Sequence, residues 1–231
     1  VNLLILTGAG ISAESGVSTF RDKDGIWSKH DWREVATPEG FAADPRRVHE
    51  FYNQRRARLQ TVHPNAAHRA LAELEARLAA RGGRLTLVTQ NVDDLHERAG
   101  SKRVIHMHGE LLKARCTACG AIHAWRAALS VEVECPACRG AGALRPDVVW
   151  FGEIPMRMEE IGAALAEADL FAAIGTSGAV YPAAGLAADA RARAIPCVEL
   201  NLEPSENAFL FSDRRYGRAG DIVPAWAAEI A

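Results

Sequence analysis

Three groups of residues in this chain have the types and spacing to do chemistry. The first is Gly8-Ala9-Gly10-Ile11-Ser12-Ala13-Glu14-Ser15-Gly16-Val17-Ser18-Thr19-Phe20-Arg21-Asp22, directly after the apolar run Leu3 to Thr7. Such a run reads as a buried parallel strand. Small residues after it let backbone approach a ligand. A helix start there aims N–H groups at an anion, so phosphate is the natural guest. Phe20 and Arg21 exceed what a generic phosphate cradle needs.

The second group is Cys116-x-x-Cys119 and Cys135-x-x-Cys138, separated by fifteen residues. Two such turns present four thiolates to one ion, the spacing of a structural zinc site. Gly120 and Pro136 suit tight turns. His123 is an alternative ligand and a redox pair an alternative use, but four thiolates close a tetrahedron and leave no open catalytic position. The fifth cysteine, Cys197, reads as a core residue.

The third group is polar and recurs after apolar runs. Gln90-Asn91-Val92-Asp93 follows Leu85 to Thr89, and His108-Gly109-Glu110 follows Val104 to Met107. Gly175-Thr176-Ser177-Gly178 follows Leu170 to Ile174, and Asn201-Leu202-Glu203 follows Ile195 to Leu200. With the glycine segment, five strand ends thus carry small or hydrogen-bonding residues.

The elements that must position these groups alternate between strand and helix. Leu71, Leu74 and Leu78 recur at helical spacing in an alanine-rich stretch ending at Gly82-Gly83, and Pro182 to Arg193 reads as another helix. Alternation of this kind predicts an α/β fold, a parallel sheet with helices on both faces and ligands beyond the strands' carboxyl ends. An ordinary dinucleotide fingerprint fits only in part. Ala13 takes the place of the third glycine, and Ile26 to Trp32 holds neither a second strand nor its ribose-binding acid.

The chain has 231 residues, 48% hydrophobic and 24% charged, with a net charge of −2. That suits one large globular domain with a small insertion. No basic block points to nucleic acid or an anionic membrane, and no apolar stretch reaches membrane-spanning length. A cytoplasmic monomer is expected.

The glycine segment through Phe20-Arg21, Gln90-Asn91-Val92-Asp93, His108-Gly109, the paired Cys-x-x-Cys and Gly175-Thr176-Ser177 occur here in the order found in sirtuins. From Thr7 to about Val223 the chain resembles that family, NAD-dependent protein lysine deacylases, and most of all its bacterial branch, which includes enzymes removing acidic acyl groups. Asp22 departs from the pattern, where glycine, serine or alanine is usual after Phe-Arg.

The resemblance implies a Rossmann-like NAD-binding domain (1–27, 64–112, 144–231). It also implies a small domain (28–63, 113–143) made of a helical insertion and a four-cysteine zinc module. NAD is then a co-substrate. The acyl oxygen of a modified lysine attacks the ribose carbon, nicotinamide leaves, and a histidine removes a ribose hydroxyl proton; lysine and acylated ADP-ribose are released. His108 matches that base. His106 lies on the same strand, and spacing alone does not separate the two; the match to the family's His-Gly motif does. Its ordinary pKa near 6.5 suits the task.

Asn91, also expected to be catalytic, and Asp93 match the residues holding the nicotinamide ribose and carboxamide, and alternation along extended backbone points both the same way. Phe20 and Arg21 match the aromatic screen and phosphate-steering residue. Gly8, Ala9, Gly10, Ile11, Ser12, Glu14, Thr19, Trp27, Gln90, Val92, Gly175, Thr176, Ser177, Asn201, Leu202, Glu203 and Ala219 complete the implied NAD contacts. Cys116, Cys119, Cys135 and Cys138 are the implied zinc ligands.

On the acyl side, a helix over His49 to Leu59 makes Tyr52 and Arg55 i, i+3 neighbours. Phenol and guanidinium together form a carboxylate receptor, and this pair serves succinyl- and malonyl-lysine in the acidic-acyl branch. Without the resemblance, a solvated basic face with Arg56 and Arg58 is the favoured reading of the segment; with it, the carboxylate receptor is. Ala13 leaves room for the acyl chain. Val149 and Phe151 on one strip and Val180 on another match the grip on an extended peptide. An NAD-dependent ADP-ribosyltransferase is the alternative activity; a zinc-ribbon nucleic-acid reader is disfavoured by Glu132 and Glu134.

Overall fold

The computed structural model describes residues 1–19 and 25–230. Phe20, Arg21 and Asp22 lie outside the described residues. Along the chain, β1 (Asn2–Thr7) leads through a short 3-10 turn (Ala9–Ser15) to α1 (Trp32–Val35), α2 (Pro38–Ala43), α3 (Pro45–Leu59) and α4 (Ala66–Ala80). Then come β2 (Arg84–Thr89), α5 (Leu95–Ala99), β3 (Val104–His106), β4 (Gly109–Cys116), β5 (Ile122–Ala124) and β6 (Leu144–Val148). The chain closes with α6 (Met158–Ala166), β7 (Leu170–Ile174), α7 (Gly185–Ala192), β8 (Cys197–Asn201), β9 (Asp213–Tyr216) and α8 (Ala219–Ile230).

Six strands form one parallel sheet in the order β3-β2-β1-β7-β8-β9. This is the doubly wound order with its switch point between β1 and β7, where a crevice opens beyond the carboxyl ends. Alternate residues of β1 supply opposite faces. Leu3 and Ile5 pack with Leu71, Leu74 and Leu78 of α4 and Trp226 of α8, while Leu4 and Leu6 pack with Ile161, Leu165 and Leu186 of α6 and α7. Cys197 is buried on that second face, in the predicted core.

Edge strand β9 was not expected. Of its residues, Asp213-Arg214-Arg215-Tyr216, three are charged, because an edge strand is only partly covered. The expected helix from Pro182 is shorter, Gly185 to Ala192.

Helix α3 is set by local signals: Asp44 accepts from the Arg47 N–H at 3.0 Å and Pro45 occupies the first turn. Its apolar face, with Phe51, Tyr52 and Leu59, joins Leu95, Leu111, Val148 and Trp150 in a third core. A three-stranded antiparallel sheet, β5-β4-β6, carries a fourth core of Ala114, Leu129 and Leu144 around two cysteines.

Candidate active site

The β1 and β7 loops meet backbone to backbone. A Cβ on Gly8 would lie 2.7 Å from the Gly175 carbonyl oxygen, and one on Gly10 2.7 Å from the Gly175 Cα. Gly175 itself has φ +63°, and a Cβ there would sit 2.4 Å from the Ile11 nitrogen. Only glycine permits this approach. The amides of Gly8, Gly10 and Ile11 donate to Ile174, Gly175 and Gly8 carbonyls, so the expected fan of free helix-start amides is narrower than the sequence implies.

The cleft has a volume of about 1100 Å³ and draws on all the predicted strand ends. Gly8, Ala9, Gly10, Ala13, Glu14, Thr19, Trp27, Gln90, Asn91, Val92, His108 and Gly175 line it. So do Thr176, Ser177, Asn201, Leu202, Glu203 and Ala219. Tyr52, Arg55, Val149, Phe151 and Val180 border it as well. Ile11 does not: it is fully buried in the core under the sheet's first loop. Asp93 opens instead on an adjoining cavity of about 200 Å³, which Asn91 and Arg55 share.

Beneath the cleft floor lies a polar network that the sequence shows only in pieces. Asn91 Nδ2 donates to the Gly8 carbonyl at 3.1 Å and to Ser12 Oγ at 3.2 Å; Ser12 Oγ donates to Asp93 Oδ2 at 3.0 Å. The two residues expected to point the same way therefore converge on one hydroxyl. His68 Nδ1 accepts from the Asn65 N–H, which makes Nε2 the protonated nitrogen, 3.3 Å from Ser12 Oγ. The hydroxyl thus accepts twice and donates once. Burial pushes the Asp93 carboxyl up to about 6 and holds the His68 imidazole down at about 4.

A second branch runs from His96 Nε2 to Thr7 Oγ1 (3.1 Å), on to Thr89 Oγ1 (2.9 Å), which accepts from the Asn91 N–H at 3.0 Å. His68 and His96 were not singled out in the sequence. For His68 the signal was an imidazole inside the apolar helical stripe of Leu71, Leu74 and Leu78; His96, in the short and mostly polar helix Leu95–Ala99, gave none.

Tertiary contacts give the two candidate bases different surroundings. His106 Nε2 is 2.7 Å from Glu97 Oε1 and its Nδ1 3.2 Å from the Asn91 carbonyl, so both nitrogens are engaged and the Glu97 carboxylate raises its pKa despite burial. His108 lies in the turn after β3. Its Nδ1 donates to the Gln90 carbonyl at 3.2 Å, which leaves Nε2 with the lone pair, and burial lowers its pKa. The glycine after it is obligatory. Gly109 has φ +80°, and a Cβ there would clash with the Asp147 carbonyl at 2.1 Å.

At the other end, Tyr52 and Arg55 share the cleft face of α3. Tyr52 Oη accepts from Trp150 Nε1 at 2.9 Å, and the Arg55 guanidinium lies 5.4 Å from the Phe51 ring centre. Burial pushes the Tyr52 phenol up to about 12 and lowers the Arg55 pKa. Trp27 stacks on Phe51 at 6.3 Å and meets Phe151 at 6.0 Å, walling this end with aromatics.

The opposite end is built by β7, β8 and the β9–α8 turn. Asn201 Nδ2 ties to the Thr176 carbonyl at 2.7 Å, and Asn201 Oδ1 accepts from the Leu202 N–H at 3.1 Å. Glu14 accepts the Gly220 N–H at 2.8 Å, linking the glycine segment to the start of α8.

The four cysteine sulfurs all lie within 4.8 Å of one another, with Cys116 to Cys138 at 3.7 Å and Cys119 to Cys135 at 3.9 Å. A tetrahedral ion with zinc–sulfur bonds of about 2.3 Å spaces its ligands about 3.8 Å apart, so the set fits zinc. His123 Nε2 is 3.5 Å from Cys135 Sγ and sits at the edge of the cluster, the place of a supporting hydrogen bond to a thiolate.

Residues 8–182 match the model of the Sir2 family. The chain is 59% identical over 226 residues, 98% of its length and 95% of the relative's, to an NAD-dependent protein deacylase of Caulobacter vibrioides. It is 53% identical to the NAD-dependent protein deacylase SIR2rp3 of Leishmania major, covering 99% and 95% of the two chains. Its structure superposes on a Sir2 homologue–NAD complex with a TM-score of 0.89 at 39% identity, covering 99% of this chain and 88% of that one. The doubly wound sheet, the interlocked glycines and the clustered cysteines are thus those of a chain that belongs to the Sir2 family.

Proposed function

We propose that the chain is an NAD-dependent protein lysine deacylase that removes acetyl and succinyl groups. The observation that carries this reading is a neutral, oriented imidazole, His108, in one cleft with Asn91 on its floor and the Tyr52–Arg55 pair at its acyl end. Bound NAD supplies a ribose carbon that gives up nicotinamide and accepts the acyl oxygen.

The chain's own residues do the rest. Asn91, held by Gly8 and Ser12, orients the ribose; Asp93, adjoining, takes the carboxamide N–H₂. His108 Nε2 takes the ribose hydroxyl proton, and the Gln90 carbonyl steadies the imidazolium that results. Residues of the β7 and β8 ends, with Ala219, receive the adenosine half.

Tyr52 and Arg55 bind the acid end of a succinyl chain over Ala13. The amides of Val149 and Phe151 donate to the His108 and Ala36 carbonyls, so an acylated peptide on this strip meets its carbonyl groups, with Val180 on the facing side. Zinc held by the four thiolates has no open position and stabilises the small domain, residues 28–63 and 113–143. The remainder, 1–27, 64–112 and 144–231, is the NAD-binding domain. In the same reading the chain acts as a cytoplasmic monomer; a net charge of −2 supports the absence of a nucleic-acid partner.

The test is mass spectrometry of a reaction with NAD and an acyl-lysine peptide. Deacylation yields free lysine, nicotinamide and acylated ADP-ribose in equal amounts. ADP-ribosylated peptide with its acyl group intact overturns the reading in favour of an ADP-ribosyltransferase.

A further inference from the structure

Trp150 is 3% exposed and its indole N–H points at the Tyr52 oxygen, 2.9 Å away. An indole nitrogen is a donor only, so this bond has one direction: Tyr52 must accept. A phenol has one proton to give, and with its oxygen engaged as acceptor that proton is left for whatever lies on the cleft side. Tyr52 is itself only 6% exposed, and at a pKa of about 12 it keeps the proton throughout the neutral range.

The indole is fixed from two sides. The Arg145 guanidinium lies over its ring at 3.4 Å, and Arg145 in turn grips both oxygens of Glu153 at 2.6 and 2.9 Å. Glu153 also accepts the Trp150 backbone N–H at 2.8 Å. Arg145 is 7% exposed, so this clamp is part of the interior rather than a surface ion pair.

We propose that Trp150 is a positioning residue for acyl selectivity: by donating to Tyr52 Oη it commits the Tyr52 hydroxyl to donate to a carboxylate on the acyl chain. This rests on the proposed role of Tyr52 and Arg55 as carboxylate receptor. Without the indole N–H, the phenol can turn its proton toward other acceptors, and an acidic acyl chain loses one oriented donor. An acetyl group has no carboxylate to lose.

The experiment compares kcat/KM for succinyl- and acetyl-lysine on one peptide, as a ratio, in Tyr52→Phe, Trp150→Phe and the double variant. Trp150→Phe lowers the succinyl-to-acetyl ratio by roughly fivefold, the scale of one hydrogen bond. Tyr52→Phe lowers it at least as far, and the double variant no further than Tyr52→Phe alone. Replacing Trp150 with 3-benzothienylalanine, which keeps the bicyclic shape and lacks only the N–H, reproduces the Trp150→Phe ratio and guards against a packing effect. An unchanged ratio in both Trp150 replacements, with Tyr52→Phe lowering it, overturns the inference and leaves the receptor standing. Independent, additive losses overturn it too. A ratio unmoved by Tyr52→Phe overturns the carboxylate receptor and the inference with it.

Discussion

His108 donates through Nδ1 to the Gln90 carbonyl at 3.2 Å, across two of the strand ends that frame the cleft. That single bond sets the tautomer, and with it which nitrogen can act as a base. His106, two residues away, has both nitrogens occupied by Glu97 and the Asn91 carbonyl.

His108→Gln therefore lowers kcat/KM by about 10²–10⁴-fold, the range of a lost general base. His106→Gln costs less, since it removes only support for the Asn91 backbone. Equal losses in steady-state assays of the two variants refute the assignment.

In the proposed mechanism activity requires neutral His108. Burial lowers its folded pKa below the ordinary 6.5, so protonation, and with it the acid limb of kcat/KM, sets in below that value. A pH–rate profile with its acid midpoint above 6.5 contradicts this.

Arg55→Met raises KM for a succinylated peptide by roughly tenfold or more while an acetylated peptide changes little, because a charge-assisted bond to carboxylate is worth about 1.5–3 kcal/mol. Kinetics with both peptides decide it; equal losses show that Arg55 does not read the acyl acid.

Asp93 titrates near 6 when folded and near 3.8 when unfolded. A raised carboxyl means the native state holds the extra proton between those values. Its ionisation thus costs stability as pH rises from 4 to 6, on the order of 3 kcal/mol. Asp93→Asn removes that cost. His68, lowered to about 4, works in the opposite sense but is common to both proteins and cancels in the difference. Denaturation of the two at pH 4 and pH 7 should show Asp93→Asn gaining relative stability at pH 7, alongside lost activity. No gain shows that the buried carboxylate is not a burden.

Gly175→Ala forces a Cβ against the Ile11 nitrogen at a φ that L residues avoid. A loss of about 2–4 kcal/mol and weaker NAD binding are expected. Thermal melts with and without NAD measure both.

Removal of zinc by a chelator, or Cys116→Ala, should unfold the β4–β5–β6 module and lower Tm, with one zinc per chain by metal analysis. Cys197→Ala, far from the four sulfurs in the sheet core, leaves zinc content unchanged.

Much of this was legible in the chain itself. Apolar runs of strand length, glycines at their ends and Cys-x-x-Cys pairs are local patterns, and local patterns specify elements and a metal site. Five of the six parallel strands were readable, the four central ones because both faces must be apolar and edge strand β3 because it is largely buried as well. β9 was not, because an edge strand half open to solvent carries arginines instead.

What sequence spacing left open depends on contacts between residues distant in the chain. Only the fold seats Glu97 on His106 and Gln90 on His108, brings Asn91 and Asp93 onto the Ser12 hydroxyl, and backs that hydroxyl with His68. Only the fold brings Trp150 to Tyr52, 98 residues apart. The physical reason is that periodicity and composition report burial and backbone conformation, which are short-ranged. A tautomer, a proton's direction and a shifted pKa depend on individual partners, and those are chosen by packing.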